Sequence, residues 1–255
     1  MHPILLKIGS FEVPAYGASL VLAFVVTTWF LKREAGRQGL DGDKMVDTAI
    51  AGLLFGLVGA KLLLFFLDPG YYVQHPVELL RSAGVIYGGL MVGVLGVIWF
   101  IKRKNMPLWK SLDTLAPFAA LGVGLGRISC LMAGCCYGIR YDGPFSIVFP
   151  SHPYCRADPG IDLFPIQILA LVNGVLLCLV LLWILRNQRF PGQVVMAYLM
   201  LYSLTRGTME FLRGDDVERG KWFADTVSTS QVIAIIGLLA GLIWYLKSRP
   251  KEHVA

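Results

Sequence analysis

The chain reads as long apolar runs separated by short polar connections. The runs cover approximately Val13–Leu31, Val46–Leu67, Ala83–Ile101, Leu112–Ala133, Leu163–Leu185, Gln193–Leu212 and Thr229–Leu246. Each is close to the roughly 20 residues a helix needs, at 1.5 Å rise, to cross about 30 Å of hydrocarbon. Pro117 interrupts the fourth run, and the sixth carries several polar groups. The pattern predicts an all-α fold, a polytopic membrane helical bundle with about seven transmembrane helices, in which residues 1–255 form a single integral membrane domain.

Composition agrees. Of the 255 residues 56% are apolar and 16% charged, which leaves too little polar sequence to cover a water-soluble fold of this size. Met1 to Phe11 contains Pro3 and Gly9 and carries only Lys7, and the first apolar run is long enough to stay in a bilayer. That segment therefore reads as retained and not as a cleavable signal, and no stretch is long enough for a large domain outside the membrane.

The net charge of +6 does not imply a nucleic-acid partner, because the basic residues sit in short loops and form no basic helix or tail. Their distribution instead sets orientation. Connections after runs one, three, five and seven hold 13 basic residues: Lys32, Arg33, Arg37, Lys44, Lys102, Arg103, Lys104, Lys110, Arg186, Arg189, Lys247, Arg249 and Lys251. The opposite segments hold seven: Lys7, Arg81, Arg140, Arg156, Arg213, Arg219 and Lys221. Positive charge is retained on the cytoplasmic side, so the N-terminus is expected outside and the C-terminus cytoplasmic, in a multi-pass protein of a bacterial inner membrane.

Three basic residues, Lys61, Arg127 and Arg206, are left at membrane depth. A charge there is expensive and faces a protein interior, a wet cavity or, by snorkelling, the interface. Arg206 and Glu210 are four apart and share a helix face, which Tyr202 and Arg213 extend by a turn in each direction. One reading is an ion pair that fastens the bundle. The other is an anion site, since two arginines against one glutamate leave positive charge, and the guanidinium fork holds two phosphate oxygens at once. Arg127 follows Gly122, Gly124 and Gly126, glycines that permit close backbone approach and a shared cavity with Arg206. Gly84, Gly88, Gly89, Gly93 and Gly96, with Tyr87 among them, make the third run equally suited to tight packing or to admitting a substrate. An anionic lipid headgroup is the ligand this constellation suits.

Cys130, Cys135, Cys136 and Cys155 belong to the outward half, whereas Cys178 reads as a core or lipid-facing residue. A disulfide involving Cys155, a metal site and a thiol activated beside Arg127 compete for the first group. The spacing lacks the repeated pair usual for zinc, which weighs against metal. His152-Pro153 reads as a surface loop more readily than as a base. There is no nucleotide-phosphate loop, flavin fingerprint or haem motif, so no cofactor is expected.

Taken in order, Pro14-Ala15-Tyr16-Gly17, Gly59-Ala60-Lys61-Leu62, Tyr87-Gly88-Gly89, the segment from Gly126-Arg127 to Gly138, and Tyr202-x3-Arg206-x3-Glu210-Phe211 resemble the prolipoprotein diacylglyceryl transferase family over essentially the whole chain. The resemblance implies transfer of the diacylglyceryl group of phosphatidylglycerol to the lipobox cysteine thiol of a prolipoprotein, with release of glycerol 1-phosphate, a step of lipoprotein biosynthesis. Its partners would be phosphatidylglycerol or another anionic phospholipid, a lipobox peptide and the bilayer. It casts Arg127 and Arg206 as phosphate holders, Glu210 as their orienter, and Tyr16 and Tyr202 as pocket walls, with Lys61, Gly88, Gly89, Gly126, Gly138 and Arg213 beside the substrate. The family's histidine before the paired glycines is Tyr87 here. In its Gly-Arg-x-Gly-Asn-Phe-x-Asn-x-Glu signature, Ser129 stands for the glycine, Cys130 and Ala133 for the asparagines, Leu131 for the aromatic residue and Cys135 for the glutamate. Its later His-Pro-x-Gln-x-Tyr-Glu is Phe164-Pro165-Ile166-Gln167-Ile168-Leu169-Ala170. The anion-binding half of the site is retained while the proton-transfer half is replaced. Tyr87 is a poor base near neutral pH, so Cys130 or Cys135 becomes a candidate thiolate. A divergent lipid-headgroup or thiol-directed transferase and an inactive anionic-lipid-binding protein are the alternatives; a transporter would need a repeat or matched broken helices.

Overall fold

The computed structural model describes residues 4–8, 11–82, 84–152, 155–215, 221–222 and 227–248. Ala83, Pro153, Arg219, Arg249 and Lys251 of the sequence argument lie outside them, as do the side chains of Arg81, Lys221 and Lys247. An antiparallel pair, β1 (Ile4–Ile8) and β2 (Phe11–Pro14), leads into α1 (Ala15–Arg37). There follow α2 (Gly42–Leu67), the short helices α3 (Pro69–Gln74) and α4 (Pro76–Arg81), α5 (Ile86–Arg103) and α6 (Leu108–Ala133). Next come β3 (Ile147–Val148) paired with β4 (Asp162–Leu163), α7 (Ile166–Arg186) and α8 (Gln193–Met209). A 3-10 turn (Glu210–Leu212), the pair β5 (Lys221–Trp222) and β6 (Val227–Ser228), and α9 (Thr229–Ser248) complete the described chain.

Six helices, α1, α2, α5, α6, α7 and α9, are long and apolar enough to cross a membrane. Their faces expose Val21, Leu22, Leu54, Leu57, Leu179, Trp183, Ile235 and Ile236, surface that water would penalise and lipid would not. The sixth predicted run, Gln193–Leu212, does not form one continuous α-helix. α8 has 17 residues, and the chain tightens into the 3-10 turn at Glu210. α6 continues through Pro117 without a break. The all-α prediction also passed over the three short antiparallel pairs, because two- to five-residue strands leave no apolar alternation to read.

The chain divides into two compact units, residues 28–115 and residues 1–27 with 116–255. In the first, α2 and α5 pack backbone to backbone. A Cβ on Gly88 would lie 2.5 Å from Gly59 O, and one on Gly96 would lie 2.4 Å from the Phe55 ring. Lipid offers no hydrophobic drive between helices, so this contact relies on close van der Waals approach, which the small residues allow. In the second unit Ala116, Ala120, Leu177, Leu181, Leu185, Val194 and Ala197 join α6, α7 and α8 in one buried cluster. There α6 and α7 cross where a Cβ on Gly174 would lie 2.4 Å from Gly124 Cα. Of the three glycines before Arg127, only Gly124 is used for close approach; Cβ atoms on Gly122 and Gly126 would meet ordinary contacts of 3.7 and 3.9 Å.

Candidate anion pocket and cysteine cluster

In the second unit a small cavity of about 30 Å³ is lined by Arg127, Cys136, Ile166, Gln167, Ala170, Arg206, Met209 and Arg213. A second cavity adds Asn173, Gly174 and Tyr202, and shares Arg127 and Arg206 with the first. Space of this size holds water.

The end of α8 supplies two of the arginines. Arg206 pairs with Glu210 one turn on and donates from its other terminal nitrogen to Ser230 Oγ of α9 at 3.1 Å. Glu210 is 2% exposed, so it is an ion-pair partner buried in the protein and not a surface carboxylate. Arg213 follows the 3-10 turn and grips Asp215 with two donors, one of them Nε to Oδ1 at 2.9 Å. Asp215 escaped the sequence argument; the signal was the two-residue spacing from Arg213. Three arginines thus line the cavity while two carboxylates pair with two of them. Among the described residues Arg127 makes no side-chain hydrogen bond or ion pair. The uncompensated positive charge therefore belongs to Arg127.

The cysteines come together through a helix C-cap. α6 ends at Ala133, and Gly134 adopts a left-handed φ of +59°. Gly134 N donates to Leu131 O at 3.4 Å and Cys135 N donates to Cys130 O at 3.1 Å. This is the Schellman arrangement, which brings the second residue after a helix back over its last turn. A spacing of five residues at this position folds the Cys135 thiol onto Cys130. Cys136 itself has φ of +54°, a conformation that costs a non-glycine residue about 1–3 kcal/mol and that the surroundings must enforce. The three sulfurs all lie within 4.8 Å of one another. Gln167, buried on α7, holds the loop by donating to Cys135 O at 3.0 Å. Hydrogen bonds from Cys130 and Cys135, then the nearby Arg213 and Arg127, lower the Cys136 thiol below its ordinary range. Cys135 is raised, chiefly by hydrogen bonding to Cys130 and Cys136.

Gly138 has a backbone task. Its Cβ would lie 2.4 Å from Phe164 O, and it bridges Arg213 in an antiparallel step, with Gly214 N donating to Tyr137 O at 3.0 Å. That bridge holds Arg213 beside the cysteine loop. Ser129, buried on α6, bonds Ser19 of α1 at 2.9 Å, and exposed Tyr16 stands within electrostatic reach of all three cysteines. Tyr202 lines the second cavity with both Arg127 and Arg206. Cys130, Cys135, Cys136 and Cys155 are free thiols in this structure.

The remaining sequence candidates belong to the first unit. Lys61, expected beside a headgroup, directs its ammonium at Leu79 O (2.9 Å), Leu80 O (3.1 Å) and Ser82 O. Those contacts use all three of its donors and cap the C-terminal end of α4. Gly88 and Gly89 pack against α2, with Cβ positions 2.5 Å from Gly59 O and 3.0 Å from Gly56 O, as the packing reading of those glycines expects. Tyr87 sits in the first turn of α5, partly buried.

Comparison with known proteins agrees in one direction. The family model described as prolipoprotein diacylglyceryl transferase matches residues 3–247. A phosphatidylglycerol–prolipoprotein diacylglyceryl transferase of Clostridium tetani (strain Massachusetts / E88) is 34% identical over 245 residues, covering 95% of this chain and 96% of the relative. The second such enzyme of Clostridium perfringens (strain 13 / Type A) is 31% identical over 248 residues, covering 96% and 94%. That of Geobacter sulfurreducens is 29% identical over 249 residues, covering 95% and 93%.

Proposed function

The chain belongs to the prolipoprotein diacylglyceryl transferase family, and from that premise we propose that it moves the diacylglyceryl group of phosphatidylglycerol to the lipobox cysteine thiol of a prolipoprotein, releasing glycerol 1-phosphate. The observation that carries this reading is the cavity shared by Arg127, Arg206 and Arg213, where positive charge exceeds that of the paired carboxylates. Arg127 and Arg206 hold the phosphodiester and stabilise the charge that grows on the departing phosphoglycerol. Glu210 fixes the guanidinium plane of Arg206, and Tyr202 and Tyr16 border the headgroup and acceptor sides. Arg213 adds field from its pair with Asp215.

The proposed topology has seven crossings in one integral membrane domain, N-terminus outside and C-terminus cytoplasmic, in a bacterial inner membrane. Six apolar helices and the excess of basic residues on one face support it. α8 would be the seventh: its 17 residues reach about 26 Å at 1.5 Å rise, a span that local thinning accommodates.

The test is a reconstituted transfer assay with labelled phosphatidylglycerol, a lipobox peptide and the unmodified, Arg127→Ala and Arg206→Ala proteins. Peptide labelling by the unmodified protein and its loss in both variants is expected. No labelling where a control enzyme works would overturn the reading. The replacement of the family's asparagine and glutamate by Cys130 and Cys135 favours a second reading, a thiol-directed transferase with another acceptor on the same scaffold.

A further inference from the structure

We propose that Cys130, Cys135 and Cys136 hold one zinc ion whose open fourth position binds the acceptor thiol of the transfer as its thiolate. The inference rests on the transferase reading and supplies what that reading lacks, a way to deprotonate the acceptor. The positions of the family's signature asparagine and glutamate carry Cys130 and Cys135, and Tyr87 stands where a histidine would be. Two of these replacements, with the adjacent Cys136, place three sulfurs within 4.8 Å of one another.

The donor set fits zinc. Zinc–sulfur bonds of about 2.3 Å space the corners of a tetrahedron roughly 3.8 Å apart, so the three thiols need close by no more than about an ångström. Soft thiolates select zinc over the hard cations. Three protein ligands with a vacant corner are the pattern of catalytic zinc sites, whereas structural sites fill all four positions. Cys155, whose Sγ would lie 2.2 Å from a Cβ on Gly134, is not part of the three-sulfur group, which leaves that corner to a substrate. The absence of a paired Cys-x2-Cys spacing is no obstacle, because the C-cap turn at Gly134 does the work of the usual knuckle. Cys136 lines the cavity with the three arginines, so a ligand on the ion borders the phosphate site. Three thiolates and one divalent ion carry a net charge of −1, which the uncompensated charge of Arg127 offsets.

The step balances. The acceptor thiol binds the ion and gives its proton to water, since metal coordination deprotonates a thiol. Its sulfur attacks the glyceryl carbon that bears the phosphate. A carbon–sulfur bond forms and the carbon–oxygen bond breaks, its electron pair leaving on glycerol 1-phosphate against Arg127 and Arg206. The product thioether is a weaker ligand and departs; the ion is neither oxidised nor reduced.

The experiment uses the full chain in detergent, purified without chelators, with zinc measured by elemental analysis. About one zinc per chain is expected, falling at least tenfold in Cys130→Ser, Cys135→Ser and Cys136→Ser and unchanged in Cys155→Ser and Cys178→Ser. Cobalt exchanged into the site should give thiolate charge-transfer bands, and a lipobox peptide should shift its ligand-field spectrum while the cysteine-to-serine peptide does not. Three results would each overturn the proposal: no metal in folded, monodisperse unmodified protein, loss of zinc in Cys155→Ser, or a cobalt spectrum indifferent to the peptide thiol. Transfer that persists in fully chelated protein would sink the zinc step while sparing the transferase reading. A peptide-responsive cobalt site in a protein that transfers no diacylglyceryl group would sink the transferase reading while sparing the metal site.

Discussion

Arg206 and Glu210 pair across the point where α8 gives way to a 3-10 turn, and the same guanidinium reaches Ser230 on α9. The pair therefore ties α8 to its own end, and the guanidinium adds a tie to the next helix, while one face of Arg206 stays open to the cavity. The fastening seen in the sequence as one of two readings is therefore present, and the same side chain lines the cavity where we propose that the anion binds.

Glu210→Gln keeps the volume but leaves Arg206 without its buried counter-charge. Breaking such a pair costs about 3–5 kcal/mol, so the melting temperature in detergent should fall clearly. Turnover should drop tenfold or more with no rise in KM for phosphatidylglycerol, because the unneutralised arginine still attracts phosphate. A raised KM at unchanged kcat would instead assign Glu210 to substrate binding.

Lys61→Met tests the cap at α4. Removing hydrogen bonds from a charged donor to Leu79 O and Leu80 O should destabilise residues 69–81 by about 1–3 kcal/mol and speed proteolysis there. Affinity for phosphatidylglycerol vesicles should not change. Arg127→Met should do the reverse, weakening vesicle binding at unchanged proteolytic resistance.

Gly174→Ala places a methyl 2.4 Å from Gly124 Cα and should cost about 1–3 kcal/mol as α6 and α7 are pushed apart. Gly122→Ala, whose nearest neighbour would be 3.7 Å away, should be neutral or stabilising by up to about 1 kcal/mol from helix propensity. Thermal unfolding of the two variants decides; equal losses would mean that the crossing is not at Gly124 and Gly174.

Gly134→Ala forces a side chain into a left-handed turn and against Cys155 Sγ. The C-cap should open and separate Cys130 from Cys135. Mild oxidation of metal-free protein should then join Cys130 to Cys135 at least tenfold more slowly than in the unmodified chain, as read by peptide mapping. An unchanged rate would show that the turn does not hold the thiols together.

Much of the fold was legible because it depends on local quantities. Run length predicted α1, α2, α5, α6, α7 and α9 within a few residues, and four-residue spacing put Arg206 and Glu210 on one face. What run length could not show is where α8 stops, since Gln193–Leu212 stays apolar enough on average while Glu210 turns inward to Arg206. The glycine-rich third run likewise did not name its neighbour, which the structure identifies as α2.

By itself the sequence determined the solvent, most of the helices and the family, because hydropathy, period and residue type are carried within single segments. Tertiary structure alone decided the partners. It spent Lys61 on the carbonyls of α4, gave Arg213 to Asp215, brought Arg127 to the cavity of Arg206, and closed Cys136 onto Cys130 and Cys135. The physical reason is that charge neutralisation, close backbone approach and a left-handed turn at Gly134 are settled by groups distant in sequence or by a single dihedral angle, neither of which a spacing records.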